Sequence, residues 1–337
     1  MNGPYSNIAK VLTALLILSL LFLKGCGSSS DNTVILITPA PVDEIEEQIA
    51  AFNEIYPDIR VETMYMGVGE ITTRIRAERN NPQTDVASDI PISYIRNNPE
   101  LFRTHISEHD DAFADHLKDS ETHKWYGNYR GPQVLLVNTN LMPDGREKVT
   151  SWHDLANPEF EGEIIMANPG LSSSAFSQLH LMVSIGGWEL VEGILKNAVI
   201  TPSSRLAYQG VADGEYAIGM LTENVAVNLY NDGYPVVFIY LEEGTNDQMT
   251  GISIIENSPN TANAELLFEF LNSREAHQIS ASEPYFRRSA RPDVSLHPDM
   301  VQTDNLEFAV SIDDIISISA EEHEAMLNRF DDLMADM

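Results

Sequence analysis

Three consecutive serines, Ser172-Ser173-Ser174, follow a Pro169-Gly170 break and stand where a new helix opens. The first N–H groups of a helix have no partner inside it, and with the positive end of its dipole they offer a seat for an anion. Serine hydroxyls placed there either cradle a phosphate, phosphonate or carboxylate, or serve as N-caps. The pair Ser203-Ser204 repeats the arrangement, and Arg205 beside it either adds a charge-assisted contact or points to solvent. Further on, Thr222-Glu223-Asn224 ends an apolar strand, and Glu223 and Asn224 suit the hydroxyls or an amine of an organic solute. Trp125 and Tyr126 supply an aromatic wall or belong to the core.

Catalytic constellations do not emerge from the same reading. The chain has no Gly-x-Ser-x-Gly elbow and no His-Glu-x-x-His pattern. Glu242 and Glu243 are adjacent, so in extended backbone their carboxylates point apart. His105, His109, His116 and His123 are irregularly spaced among acids, as on a solvated face, and do not make a metal cluster. No catalytic residue, metal ligand or cofactor is assigned.

The elements that must position these residues read as α/β. A buried strand, Thr33 to Thr38, is followed by a helix, Asp43 to Tyr56, with Ile45, Ile49, Phe52 and Tyr56 at helical spacing. A strand from Ile59 to Met64, a helix from Glu70 to Arg79 and a strand around Asp85 to Ser88 complete a β-α-β-α-β unit, which calls for a parallel sheet. Ligands of such sheets sit beyond the carboxyl ends of the strands, here Thr38-Pro39, the Gly67–Glu70 turn with Gly69 and Glu70, and Ser88-Asp89. Residues 92 to 124 read as helical and polar. The middle of the chain alternates again: a short helix from Trp152, strands at Glu163 to Ala167, Val199-Ile200, Tyr216 to Leu221 and Val236 to Tyr240, and a helix from Ala175 that Gly186-Gly187 ends. The closing helix, Glu321 to Met334, carries Met326, Leu327, Phe330, Leu333 and Met334 on one face.

A chain of 337 residues with 43% apolar content fills two lobes. Its 51 acidic against 20 basic residues, a formal charge of −31, exclude a nucleic-acid partner, which requires a basic face. The acidity reads as a well-solvated surface or as attraction of a cationic solute.

The stretch SWHDLANPEFEGEI…ANPGLSSSAF (Ser151 to Phe176) resembles the middle segment of the periplasmic solute-binding proteins of ABC importers, in the group that includes ferric-ion, thiamine, phosphonate and hexose-phosphate binders. TRIRAERNNPQTDV (Thr73 to Val86), WYGNYRGPQVLLVNTNL (Trp125 to Leu141), GEYAIGM (Gly214 to Met220), GYPVVFIYLEEGT (Gly233 to Thr245) and FRRSARPDV (Phe286 to Val294) agree with that family in order. The resemblance implies a type II periplasmic-binding-protein fold, each lobe a mainly parallel sheet flanked by helices. Residues 33–137 and 248–337 are expected in the first lobe and 138–247 in the second, with hinge crossings near 136–140 and 240–248. It further implies a monomer that closes on a small-molecule solute and delivers it to an ABC permease, the solute being anionic and phosphate- or phosphonate-bearing. Ferric ion is the alternative within the class; an extracytoplasmic hydrolase or the sensory subunit of a receptor is the alternative outside it. Ferric-ion binders of the group use adjacent tyrosines shortly after the strand matching Ala217 to Leu221, where this chain has Thr222-Glu223-Asn224-Val225-Ala226 and an isolated Tyr230. Phenolates suit a hard trivalent cation, so the difference counts against iron.

At the amino end, Lys10 and the apolar run Val11 to Leu23 read as a signal peptide over residues 1–25, too short for the ~20 residues of a membrane span. The single cysteine, Cys26, with Leu and Gly at −3 and −1, resembles a bacterial lipoprotein cleavage box, although Lys24 departs from it. Residues 26–32 are then a tether to a lipid anchor, and the rest of the chain is extracytoplasmic.

Overall fold

The apolar run Thr33–Thr38 becomes a strand covered on both faces, with Val34, Leu36 and Ile37 fully buried. In the computed structural model, which describes residues 32–337, it pairs in parallel with Arg60–Tyr65 on one side and Val86–Pro91 on the other. The leader, Cys26 and the tether up to residue 31 lie outside the described residues. Helices Val42–Ile55 and Val68–Ala77 make the two crossovers, turning Ile45, Phe52, Ile71 and Ile75 toward the sheet.

The first sheet has six strands, in the order Arg288–Ser289, Tyr126–Arg130, Met249–Ile254, Val86–Pro91, Thr33–Thr38, Arg60–Tyr65. The second has five: Ala198–Thr201, Ile164–Ala167, Ile218–Thr222, Gln133–Asn138, Val236–Ile239. Each sheet is parallel where helices cross over and antiparallel around the strands that enter from the other sheet. In Gln133–Asn138, Val134 and Leu136 join the core on one face of the second sheet, and Leu135 and Val137 the core on the other, as period-two alternation demands.

The first crossing lies earlier in the chain than residues 136–140. Gln133–Asn138 pairs wholly within the second sheet, so the chain changes sheet at Gly131-Pro132. The returning segment, residues 240–248, runs beside it: Gly131 N donates to Gln248 O at 2.7 Å, Gln133 N to Thr245 Oγ1 at 2.7 Å, and Arg130 pairs with Asp247 at 2.7 Å. Gly244 in this segment has φ +93°, and a Cβ there would meet the Glu307 carbonyl oxygen at 2.6 Å, so glycine is required.

Two other expectations change. Residues 92–124 form one short helix, Ile92–Asn97, and then isolated helical turns, because Pro99 interrupts and polar anchors such as Lys118 Nζ to Asp110 (2.6 Å) replace an apolar stripe. The carboxyl-terminal residues leave the first lobe. Strand Phe308–Val310 pairs with Thr245–Asn246, Ile312 reaches the first core, and helix Ala320–Asp336 lays Met326, Phe330, Leu333 and Met334 on the second core around Trp152.

The lobes are joined at depth by Arg288, on the edge strand of the first sheet, and Glu223, which opens the helix Glu223–Asn231 directly after strand Ile218–Thr222 of the second. Nε and Nη2 of Arg288 donate to the two carboxylate oxygens at 2.9 and 2.6 Å, and both side chains are buried. Tyr240 OH also donates to Glu223, while Thr303 Oγ1 and the Val301 carbonyl take further N–H groups of Arg288. Removing one partner strands a buried charge. Glu223→Ala is expected to lower unfolding free energy by roughly 3–5 kcal/mol in urea titrations, whereas replacing both residues with apolar ones of similar volume should cost much less.

Candidate functional site

Strands Ile164–Ala167 and Ala198–Thr201 are parallel neighbours in register, Ala167 opposite Thr201, so the turns that follow them emerge side by side. After the first, Asn168 Oδ1 accepts from Gly170 N at 2.8 Å and shapes the Pro169-Gly170 turn into helix Ser173–Leu195. Ser172 is its N-cap, in extended conformation, accepting from Ala175 N at 3.4 Å. After the second, Ser203 caps helix Ser204–Ala212 by accepting from Arg205 N at 3.2 Å. The adjacency of the strands brings the two serine clusters together: Ser172 Oγ lies 2.7 Å from Ser204 Oγ and 3.1 Å from Ser174 Oγ, and Ser174 Oγ lies 2.9 Å from Ser204 Oγ.

Across the gap stands the first lobe. Asp89, at the carboxyl end of Val86–Pro91, holds φ +57°, a left-handed conformation that Asp tolerates better than most residues. Its carboxylate receives Arg287 Nη2 at 2.7 Å, Arg287 Nη1 at 3.0 Å and Thr250 Oγ1 at 2.9 Å. Nη1 of Arg287 also reaches Glu44 at 2.9 Å, and its guanidinium stacks 4.1 Å from the centre of the Tyr129 ring. Burial works against the charge on Arg287, yet Asp89 and Glu44 outweigh it and hold its pKa above the usual arginine value. Burial raises the Glu44 pKa against the pull of Arg287. Burial likewise pushes the Tyr129 phenol up, keeping it a neutral donor, and its hydroxyl donates to Asn224 Oδ1 of the second lobe at 2.8 Å. Nε and one Nη2 hydrogen of Arg287 have no protein partner among the described residues.

These groups line one cavity of about 280 Å³ between the lobes, with Pro39, Asp89, Tyr129 and Arg287 on one side and Ser173, Ser174, Thr222 and Asn224 on the other. Ser172, Ser173 and Gly69 line a larger adjoining space. The remaining residues singled out in the sequence have local work. Thr38 Oγ1 accepts from Ala40 N at 3.2 Å, Glu70 accepts from Gly67 N at 3.2 Å and caps its helix, and Glu223 holds Arg288. Tyr126 is fully buried in the first core, donating to Asp110 at 2.6 Å and accepting from Ser107 N at 3.1 Å. Tyr129, three residues along the same strand, takes the opposite face and with it the cleft. Arg287, Tyr129, Gln248 and Thr250 were not singled out by sequence reasoning. One signal for the first existed: adjacent arginines after Phe286 stand out in a chain with only 20 basic residues. Glu108, His109 and Glu269 bring one potential metal-ligand atom each within 4.8 Å, but line neither cavity.

Two α/β lobes facing each other over a polar cleft, joined by a pair of crossing segments, define a type II periplasmic binding protein. The chain belongs to the bacterial extracellular solute-binding protein family, which it matches over residues 34–283, and is an extracytoplasmic binding protein of the ABC-importer type. Among its relatives, the iron uptake protein A1 of Synechocystis sp. is 24% identical over 296 residues, 78% of this chain and 80% of that protein. The periplasmic binding protein AfuA from Actinobacillus pleuropneumoniae, solved with exogenous fructose-6-phosphate bound, superposes with a TM-score of 0.75 at 21% identity, covering 89% of this chain and 98% of AfuA. Iron-bound HitA from Pseudomonas aeruginosa gives a TM-score of 0.75 at 18% identity over 89% of this chain and 99% of HitA. At these identities the structural likeness speaks for the fold.

The Tyr129–Asn224 hydrogen bond spans the two lobes within the cleft. Tyr129→Phe is expected to keep the stacking on Arg287 and lower stability by about 1 kcal/mol, read from the urea midpoint, whereas Tyr129→Ala should cost severalfold more.

Proposed function

We propose that the protein captures a small anionic organic solute, phosphate- or phosphonate-bearing, by closure of its lobes and delivers it to an ABC permease. The observation that carries this reading is the meeting of Ser172, Ser174 and Ser204 at two helix starts, where Ser172 and Ser174 line the interlobe spaces, opposite Arg287, whose Nε and one Nη2 hydrogen have no protein partner among the described residues. Hydroxyls, helix N–H groups and a guanidinium together match an oxyanion with several acceptor atoms. Asp89 and Asn224 in the same cavity are suited to hydroxyl groups on the solute. Ferric ion finds less support. A hard trivalent cation favours phenolates, and the cavity's Tyr129 has its pKa pushed up by burial and its proton committed to Asn224. The hydrolase alternative lacks a nucleophile with an adjacent base in the cleft among the described residues.

Saturating solute bridges the lobes and stabilises the folded state according to its concentration. A thermal-shift screen of phosphate esters, phosphonates and ferric citrate is expected to give a shift with a phosphorus oxyanion and no reddish charge-transfer band with iron; the reverse pattern assigns the site to iron. Ser172→Ala combined with Ser174→Ala should weaken binding by about 1–3 kcal/mol in titration calorimetry; unchanged affinity would reduce both to caps. Lipid attachment through Cys26 belongs to the same proposal: Cys26→Ser should move the protein from the membrane to the soluble fraction of expressing cells, and retention at the membrane would point to an uncleaved leader as anchor.

A further inference from the structure

The small polar cavity has a much larger neighbour. A space of about 960 Å³ adjoins it, with Val68, Pro91, Ser173 and Gln248 in the walls of both. A phosphate group needs only the smaller one. The wall of the larger mixes polar and apolar side chains in about equal number, the apolar ones including Ile92 and Met249 from the first lobe, Phe176 from the cradle helix, and Ile312, Ile315 and Leu327 from the carboxyl-terminal segment. In a chain of formal charge −31, no carboxylate is among the described residues of this wall, and Arg76 is its one permanently charged side chain. Two histidines also line it, His180 and His323, whose pKa values burial lowers. Phe176 and His323 stack with ring centres 3.9 Å apart, tying the helix that begins at the serines to the carboxyl-terminal helix. Leu171, at the edge between serines and chamber, is 68% exposed, an apolar side chain without cover.

We infer that the solute carries an apolar, ring-sized body joined to its anionic group, and that the carboxyl-terminal segment is the wall that selects that body. The inference rests on the anion reading above. The anionic end sits at the serines and Arg287, and the body extends past Ser173 into the chamber against Phe176, Ile315 and Leu327. Burying such a body removes apolar area from water on both sides of the contact.

Titration calorimetry on the full chain with methylphosphonate, phenylphosphonate and inorganic phosphate separates the possibilities. Phenylphosphonate is expected to bind roughly tenfold or more tightly than methylphosphonate, from the extra apolar area buried. Phe176→Ala and Leu327→Ala, both at half-buried positions that leave the cores intact, should each remove most of that advantage and leave methylphosphonate affinity unchanged. If methylphosphonate binds as well as or better than phenylphosphonate, the chamber is only the open part of a cleft that collapses on closure; the inference then falls while the anion reading stands. If the variants weaken both phosphonates equally, the segment supports the fold and does not select, and the inference also falls. If none of the three anions binds, the anion reading fails and takes the inference with it.

Discussion

One buried ion pair decides how the two halves of this protein meet. Arg288 and Glu223 belong to different lobes, one on an edge strand and the other at a helix start, are closed off from water, and have further hydrogen bonds with Tyr240, Thr303 and the Val301 carbonyl. Such a pair tolerates little relative displacement, because any separation leaves charge in a low-dielectric interior. It therefore fixes a pivot. The crossing segments at Gly131-Pro132 and 240–248 are knitted together close to it, so relative motion of the lobes must open the cleft mouth and leave the pivot in place.

The cleft uses charge in a different manner. Arg287 is adjacent to Arg288 in sequence yet faces the cleft, with Asp89 and Glu44 balancing it and Tyr129 beneath it. Nε and one Nη2 hydrogen have no protein partner among the described residues, so the residue is preorganised and electrostatically quenched at once. That combination limits non-specific attraction of anions while retaining directional donors.

Much of the architecture was legible from apolar periodicity and breaks. The β-α-β-α-β opening, the glycine break at Gly187 with its positive φ, and the serine-led helix starts all follow from local chemistry. What was not legible depends on tertiary partners. Gln133–Asn138 is equally apolar on both faces, so its sequence carries no mark of which sheet it joins, and the first crossing was placed several residues late. The face of Ala320–Asp336 was visible, but not the core it covers. Tyr126 and Glu223 have the right residue types for a site, and only the strand's alternation and the position of Arg288 direct them inward. Conversely, nothing local joins Ser172 to Ser204, thirty-two residues away; their meeting follows from the pairing of the preceding strands.

The three serine hydroxyls close a triangle, and three hydroxyls carry three protons. Left to themselves they can circulate those protons around the ring, each donating to the next. A neutral alcohol entering this ring offers nothing the hydroxyls do not already give one another. A group that only accepts, and carries formal charge, turns the protons outward and gains shorter, stronger bonds for the exchange. On the anion reading proposed above, such a ring would favour a phosphomonoester whose second proton has left over its singly charged form.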